Sequence, residues 1–257
     1  MKTLKSLVAS VALIASATAF ATPVTLGGET PDLQTIINGL YKSDTCLACS
    51  DVSAAPDVNA DQVGEGGIFR IEASGGSIAT MIIEVTANSN VNSFGVYDIY
   101  NRTNYLQLFA GSASPGSIFN GGTQSLFSFL EQDKIYFSLN ANGSGAVQFG
   151  SSSFGYYIDT PNGVFYSQPE LNGGDDHMVA IRGDGDTIKL PGKDYGVWGP
   201  SSFILAWEDS ILANSDQDYQ DMVIYVESIT VPEPGSMALL GLGLAGLAAF
   251  SRRKQRV

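Results

Sequence analysis

Five carboxylates crowd one short stretch of the chain. In AWEDSILANSDQDYQDMVIYV, Ala206 to Val226, residues Glu208, Asp209, Asp216, Asp218 and Asp221 fall within 14 positions. Apolar, strand-like runs flank them, so the polar middle reads as a loop that gathers the carboxylates at one end of a hairpin. Like charges at this density raise one another's pKa unless a counter-ion neutralises them. A hard divalent cation does so. Calcium takes about six to eight oxygens, from carboxylates, carbonyls and water, at about 2.3–2.6 Å. The competing reading is a solvated acidic turn whose Asp side chains hydrogen-bond their own backbone. All five residues are candidate calcium ligands.

The spacing Asp216-x-Asp218-x-x-Asp221 resembles the opening of an EF-hand loop. It lacks the glycine at the sixth position and the distant glutamate, and its flanks are strands, so a calcium loop of another kind is implied. Asp175-Asp176-His177 also has metal-binding types, but consecutive strand residues point to opposite faces. A turn leading into HMVAIRG explains that triplet better. Asp98, closing FGVYD, is placed either to cap a turn or to approach the acidic loop. Asp184-Gly185-Asp186-Thr187 contains one unit of a calcium β-roll repeat, and a hairpin turn explains a single copy. Arg182-Gly183-Asp184 is read as chance.

Catalysis has weaker support. Glycoside hydrolysis needs two carboxylates at a fixed separation across a cleft. Glu208 with an Asp would nominally serve, but five crowded carboxylates suit a cation better. A Ser-His-Asp triad would have to use His177, and no G-x-S-x-G elbow is present. No catalytic residue is assigned and the protein is expected not to be an enzyme. Trp198, in DYGVWGP, has two readings: an exposed platform for a sugar, or a packed loop anchor. Cys46 and Cys49 lie in DTCLACSD. A zinc site would need two more Cys or His, and a redox C-x-x-C would sit in a βαβ unit that is not seen. A disulfide staple is favoured over free thiols.

The elements that must position these residues are mostly strands. The N-terminal part of the body, residues 22–67, is loop-rich and holds one helix candidate from Pro31 to Leu40. Thr30 would be its N-cap and Pro31 its first residue, with Leu33, Ile36, Ile37 and Leu40 on one face. From Ile68 onward, IFRIEA, ATMIIEVTA, SFGVYDIY, YLQLFAG, QSLFSFL, KIYFSLN, FGYYIDT, GVFYSQ, HMVAIRG, SFILAWED and DMVIYVESIT alternate and are rich in β-branched and aromatic residues. Strands without intervening helices imply a mainly-β fold, an antiparallel β-sandwich or jelly roll.

Both ends read as targeting segments. Lys2 and Lys5, the apolar stretch Leu7 to Ala19, and Ala19-Phe20-Ala21 fit a secretory signal at residues 1–21, cut by signal peptidase. At the other end, Val231-Pro232-Glu233-Pro234 precedes an uncharged run, Gly235 to Phe250, and then Arg252, Arg253, Lys254 and Arg256. That run is slightly short of the about 20 residues that span a bilayer. The basic cluster keeps the end cytoplasmic and argues against a lipid-anchor signal. About 210 residues remain between the two ends, enough for one domain. From Thr22 to Thr230 there are 25 Asp+Glu and 7 Lys+Arg, a net charge of −18. Such a body repels nucleic acid, so no nucleic-acid partner is expected.

Pro232-Glu233-Pro234, the Gly/Leu/Ala-rich span and the arginines Arg252 and Arg253 resemble the PEP-CTERM sorting signal of Gram-negative bacteria. The resemblance covers residues 231–257. It implies recognition by an exosortase, transient anchoring in the inner membrane, removal of the tail, and release to the cell surface or extracellular matrix. Exopolysaccharide is then a candidate partner. The stretch FILAWEDS to SDQDYQDMVIYV resembles the end of the bacterial domain of unknown function numbered 4114: an aromatic-rich strand ending in Glu-Asp, then Asp-x-Asp-aromatic-Asn/Gln-Asp, then an apolar strand. Glu208, Asp209, Asp216, Asp218, Tyr219, Gln220 and Asp221 occupy those places. Gln220 stands where the family commonly has Asn, which alters a turn hydrogen bond. The likeness runs loosely from Ile78 to Val226, through ATMIIEVTANSNVNSFGVYD, FGYYIDT, GVFYSQPELN and DDHMVAIRGDG. It implies an extracellular β-domain, often calcium-associated, and supplies no catalytic residues.

Overall fold

The computed structural model describes residue 26 and residues 31–63, 67–71, 75–83, 91–113, 123–131 and 134–231. These residues belong to one unit, Phe20–Glu233. One short helix, α1 (Leu33–Asn38), starts the described chain. Its N-cap is Asp32 rather than Thr30: an Asp32 carboxylate oxygen accepts from the Thr35 amide at 2.6 Å. Pro31 therefore precedes the helix and Leu40 follows it, while Leu33, Ile36 and Ile37 form its buried face as expected.

Fourteen strands follow among the described residues. They are β1 (Ile68–Arg70), β2 (Gly75–Ile83), β3 (Ser93–Asp98), β4 (Asn101–Phe109), β5 (Thr123–Glu131), β6 (Lys134–Ser138) and β7 (Val147–Phe149). Next come β8 (Ser153–Thr160), β9 (Gly163–Tyr166), β10 (Met178–Arg182), β11 (Asp186–Lys189), β12 (Tyr195–Trp198), β13 (Ser202–Trp207) and β14 (Met222–Glu227). All pairings are antiparallel. The mainly-β class is therefore as the strand pattern predicts.

Two large sheets form. One has the order β1-β8-β3-β4, with β9 also pairing β8; the other runs β10-β13-β14-β2-β5-β6-β7. Alternation explains how they bury surface. Phe94, Val96, Phe154, Tyr156 and Ile158 of the first share one core with Met81, Phe137, Phe203, Leu205, Trp207 and Ile224 of the second. Rings from the two sheets meet directly: Phe69 packs edge-on to Phe203 at 5.8 Å, and Phe94 to Trp207 at 6.1 Å.

The opposite face of the seven-stranded sheet is covered as well. Val179, Ile181, Ile204, Ala206, Val223 and Tyr225 join a second core with the apolar face of α1, Tyr41, Val58, Ile188, Trp198 and Tyr219. Strand β13 is consequently buried at every position, as its unbroken apolar sequence requires. The ribbon β11-β12 and the loop-rich N-terminal part form this cover. Cys46 and Cys49 are joined by a disulfide there, with Cα atoms 5.5 Å apart. At the far end of the body, Arg70 and Thr230 exchange both backbone hydrogen bonds, at 2.7 and 2.9 Å.

Candidate metal centre

The ladder of β13 and β14 closes at Trp207 opposite Met222, so Glu208 and Asp221 stand across the mouth of the hairpin. The Asp209 amide donates to Asp221 Oδ2 at 2.9 Å, locking that mouth. The loop between carries one 3-10 turn, Leu212–Asn214, and then tightens around Asp218. Gln217 and Tyr219, on either side of it, both have φ of 57°. Left-handed backbone costs a residue with a Cβ about 1–2 kcal/mol, so something must hold the loop. Tyr219 does. Its side chain is fully buried in the second core, its amide donates to Glu208 Oε1 at 2.7 Å, and its hydroxyl donates to the Asp176 carbonyl.

Three of the five carboxylates converge. Glu208, Asp216 and Asp218 each place one oxygen within 4.8 Å of the others; Glu208 and Asp218 are buried and Asp216 is exposed. The Gln220 amide donates to Asp218 Oδ1 at 3.1 Å, and its side-chain Nε2 donates to Asp218 Oδ2. Two buried oxygens at this point, Glu208 Oε2 and Gln220 Oε1, have no hydrogen-bond partner. Burial pushes the Glu208 carboxyl above its ordinary value and the charges of Asp216 and Asp218 push it further, against the Tyr219 amide and the Ser215 hydroxyl. Asp221 is pushed up to about 8, mainly by burial, then by Asp209, Glu208 and Asp218, with the Asp209 amide opposing. Among the described residues, no basic side chain acts on either group. Orphaned buried oxygens among negative neighbours are expensive, and a cation relieves that arrangement. Glu208, Asp216 and Asp218, with Gln220 Oε1 beside them, are the residues that fit one.

The other two carboxylates brace the hairpin. Asp209 Oδ2 accepts from Asn92 Nδ2 at 2.8 Å and Oδ1 accepts from the Ser210 hydroxyl at 3.0 Å. Its carbonyl accepts from the Thr160 hydroxyl at 3.0 Å and from Asn162 Nδ2 at 3.1 Å. Asp221 is engaged by the Asp209 amide. The sequence reading missed Asn92, Thr160 and Asn162, which lie 117, 49 and 47 positions from Asp209. It also gave Gln220 only a turn role.

The remaining candidates lie apart from this loop or behind it. Asp98 is a turn cap: its carboxylate accepts from the Tyr100 amide at 2.9 Å and from the Gly150 amide at 2.8 Å. Asp184 Oδ1 accepts from the Asp186 amide at 3.1 Å, and Gly185 has φ of 111°, so that motif is a turn into β11. Asp175, Asp176 and His177 lead into β10. His177 is buried, stacked on Phe165 at 3.8 Å, with Nδ1 3.3 Å from the Glu208 carbonyl. Burial holds its ring below the usual histidine pKa, and pushes Asp176 up to about 6.

Trp198 corrects the sugar-platform reading. It is fully buried in the second core, and its Nε1 donates to the Ser202 carbonyl at 3.2 Å. A Cβ on Gly183 would come within 2.4 Å of it, so the glycine makes room for the ring. The residues Ala19, Ala21, Pro232, Glu233, Pro234, Arg252 and Arg253, and the apolar span 235–250, lie outside the described residues. Among the described residues, no helix is long and apolar enough to cross a membrane.

Comparison with known families agrees with both resemblances. Residues 230–254 match the model of the PEP-CTERM protein-sorting motif. Residues 119–229 match the domain of unknown function DUF4114. The second match contains the whole acidic hairpin and strands β5 to β14; of the likeness that runs from Ile78 to Val226, only the part before residue 119 lies outside it. The sorting motif implies export and processing by an exosortase. No curated protein matches the chain, and no solved structure does.

Proposed function

We propose that the chain is an exported, non-catalytic protein of the cell surface or extracellular matrix, whose β-sandwich body is locked by a calcium ion. The observation that carries the calcium reading is the convergence of Glu208, Asp216 and Asp218 around two partnerless buried oxygens. The donors are all oxygen, which suits calcium and not a softer metal. A cation would offset the burial and the repulsion that raise Glu208, and would tie Glu208 to the turn that carries Asp216 and Asp218. The left-handed residues beside Asp218 and the brace from Asn92, Thr160 and Asn162 hold the loop in place for it.

Burial supports a structural rather than a catalytic use. Glu208 and Asp218 are closed off from solvent, and His177 is stacked and buried beside them. A hydrolase would need such groups to converge in an open cleft. In this reading signal peptidase removes residues 1–21, the span 235–250 holds the chain briefly in the inner membrane, and an exosortase removes the tail. The test is thermal unfolding of the full chain in mild detergent, in EDTA and in millimolar calcium. Calcium should raise the melting temperature, magnesium should do so less, and exchange of Glu208 should abolish the gain. Equal melting in EDTA and calcium would overturn the calcium reading.

A further inference from the structure

A second feature lies on the outer face of the five-stranded sheet. The inward residues of β3 and β8 fill the main core, so Gly95, Tyr97, Gly155, Tyr157 and Asp159 face out. The register sets Gly95 opposite Tyr157 and Tyr97 opposite Gly155. A Cβ on Gly155 would come within 2.3 Å of Tyr97 Cζ, and one on Gly95 within 2.7 Å of Tyr157 Cε1. Each ring therefore lies flat across the glycine of the neighbouring strand. The Tyr97 hydroxyl is pinned by donation to Gln168 Oε1 at 2.8 Å.

Two more tyrosines stand on this floor. Tyr166 packs edge-on against Tyr97 at 4.9 Å, and Tyr105 edge-on against Tyr157 at 5.9 Å. Tyr105 is 56 % exposed. The Arg102 guanidinium lies 5.2 Å from the Tyr166 ring centre. Together with Gln107 and Asp159 these groups enclose a cleft of about 260 Å³, close to the about 300 Å³ at which small-molecule sites begin.

We propose that this cleft binds a pyranose unit of a polysaccharide. The chemistry matches on both sides. Tyr97 and Tyr157 are buried as the floor, so the electron-rich ring surface left to meet the C–H face of a sugar is that of Tyr105 and Tyr166. Gln107 offers a donor and an acceptor, Asp159 an acceptor and Arg102 donors, as a ring of hydroxyls requires. An apolar ligand would waste three exposed polar side chains. The floor is fixed before binding, so little ordering is needed. The reading does not use Trp198 or the acidic loop.

Affinity electrophoresis of the full chain tests it, in gels cast with a neutral glucan, with a polyuronate, or with no polymer. Calcium is present throughout, so the result does not depend on the metal reading. Retardation is expected in at least one polymer gel. Tyr105→Ala and Arg102→Gln, both at exposed positions and so compatible with the fold, should weaken the apparent affinity about tenfold, the scale of losing one anchoring side chain. Retardation by the polyuronate alone would assign Arg102 to a sugar carboxylate; retardation by the glucan alone would assign the binding to the rings. Unretarded migration in both polymer gels, or equal retardation of wild type and both variants, overturns the proposal.

Discussion

The exchange Glu208→Gln separates a cation site from an acidic turn, because the sign of its effect depends on the metal. In EDTA the wild-type carboxylate is buried beside Asp216 and Asp218, with its pKa raised and Oε2 unpartnered. An amide of the same shape removes that charge. It keeps an oxygen for the Tyr219 amide, which now donates to Oε1 at 2.7 Å. The variant should therefore melt at or above wild type. In calcium the order reverses. Binding to the folded state adds RT ln(1 + [L]/Kd), about 2.7 kcal/mol at 100-fold saturation. For a body of about 210 residues, each kcal/mol moves the melting temperature by about 2–4 °C, giving the wild type about 5–11 °C. The variant should gain little. Circular dichroism melts at pH 7.5 read all four values. Equal calcium responses, or a variant that melts lower under both conditions, would refute the reasoning.

The pH dependence without metal has a defined direction. Asp221, pushed up to about 8, holds a proton in the folded state that the unfolded chain releases. Its contribution is full below the unfolded value and is lost as pH rises toward 8. His177 works the other way, but only below its ordinary value of 6.5, and Asp176 levels off above about 6. Melting in EDTA should therefore fall from pH 6.5 to 8, and a rise over that window would contradict the Asp221 environment. Trp198→Ala should cost about 3–5 kcal/mol in urea unfolding, as loss of a buried indole does; a loss below 1 kcal/mol would deny its place in the second core. Replacing Pro232 and Glu233 by alanine should leave an uncleaved, membrane-associated chain, read by fractionation and immunoblot. Normal processing would refute their part in sorting.

Much of the fold was legible because alternation is a strong local signal. SFGVYD and FGYYIDT show which residues turn inward, whereas SFILAW, read as one more alternating strand, is buried at every position. Strands β7, β11 and β12 escaped because three or four residues containing Gln, Asp or Gly carry no period. What covers β13 also escaped: the apolar face of α1 indicates that the helix packs, not where. In the acidic loop the hairpin and its carboxylates were readable from spacing. The division of labour was not, since Asp209 and Asp221 are claimed by backbone and by side chains far away in the chain. Trp198 kept two readings, exposed platform or packed anchor, because Gly, Pro and Asp surround it. Those same residues shape the turn that folds its ring inward over Gly183.

The paired hydrogen bonds between Arg70 and Thr230 mark where the body is finished. Ile229 is buried, and Val231 packs against the main core. The described strand ladders, both cores and the acidic hairpin all lie ahead of Pro232. The pair of Arg70 and Thr230 ties strand β1 to the last described residues of the body, so loss of Thr230 would free the outer edge of β1.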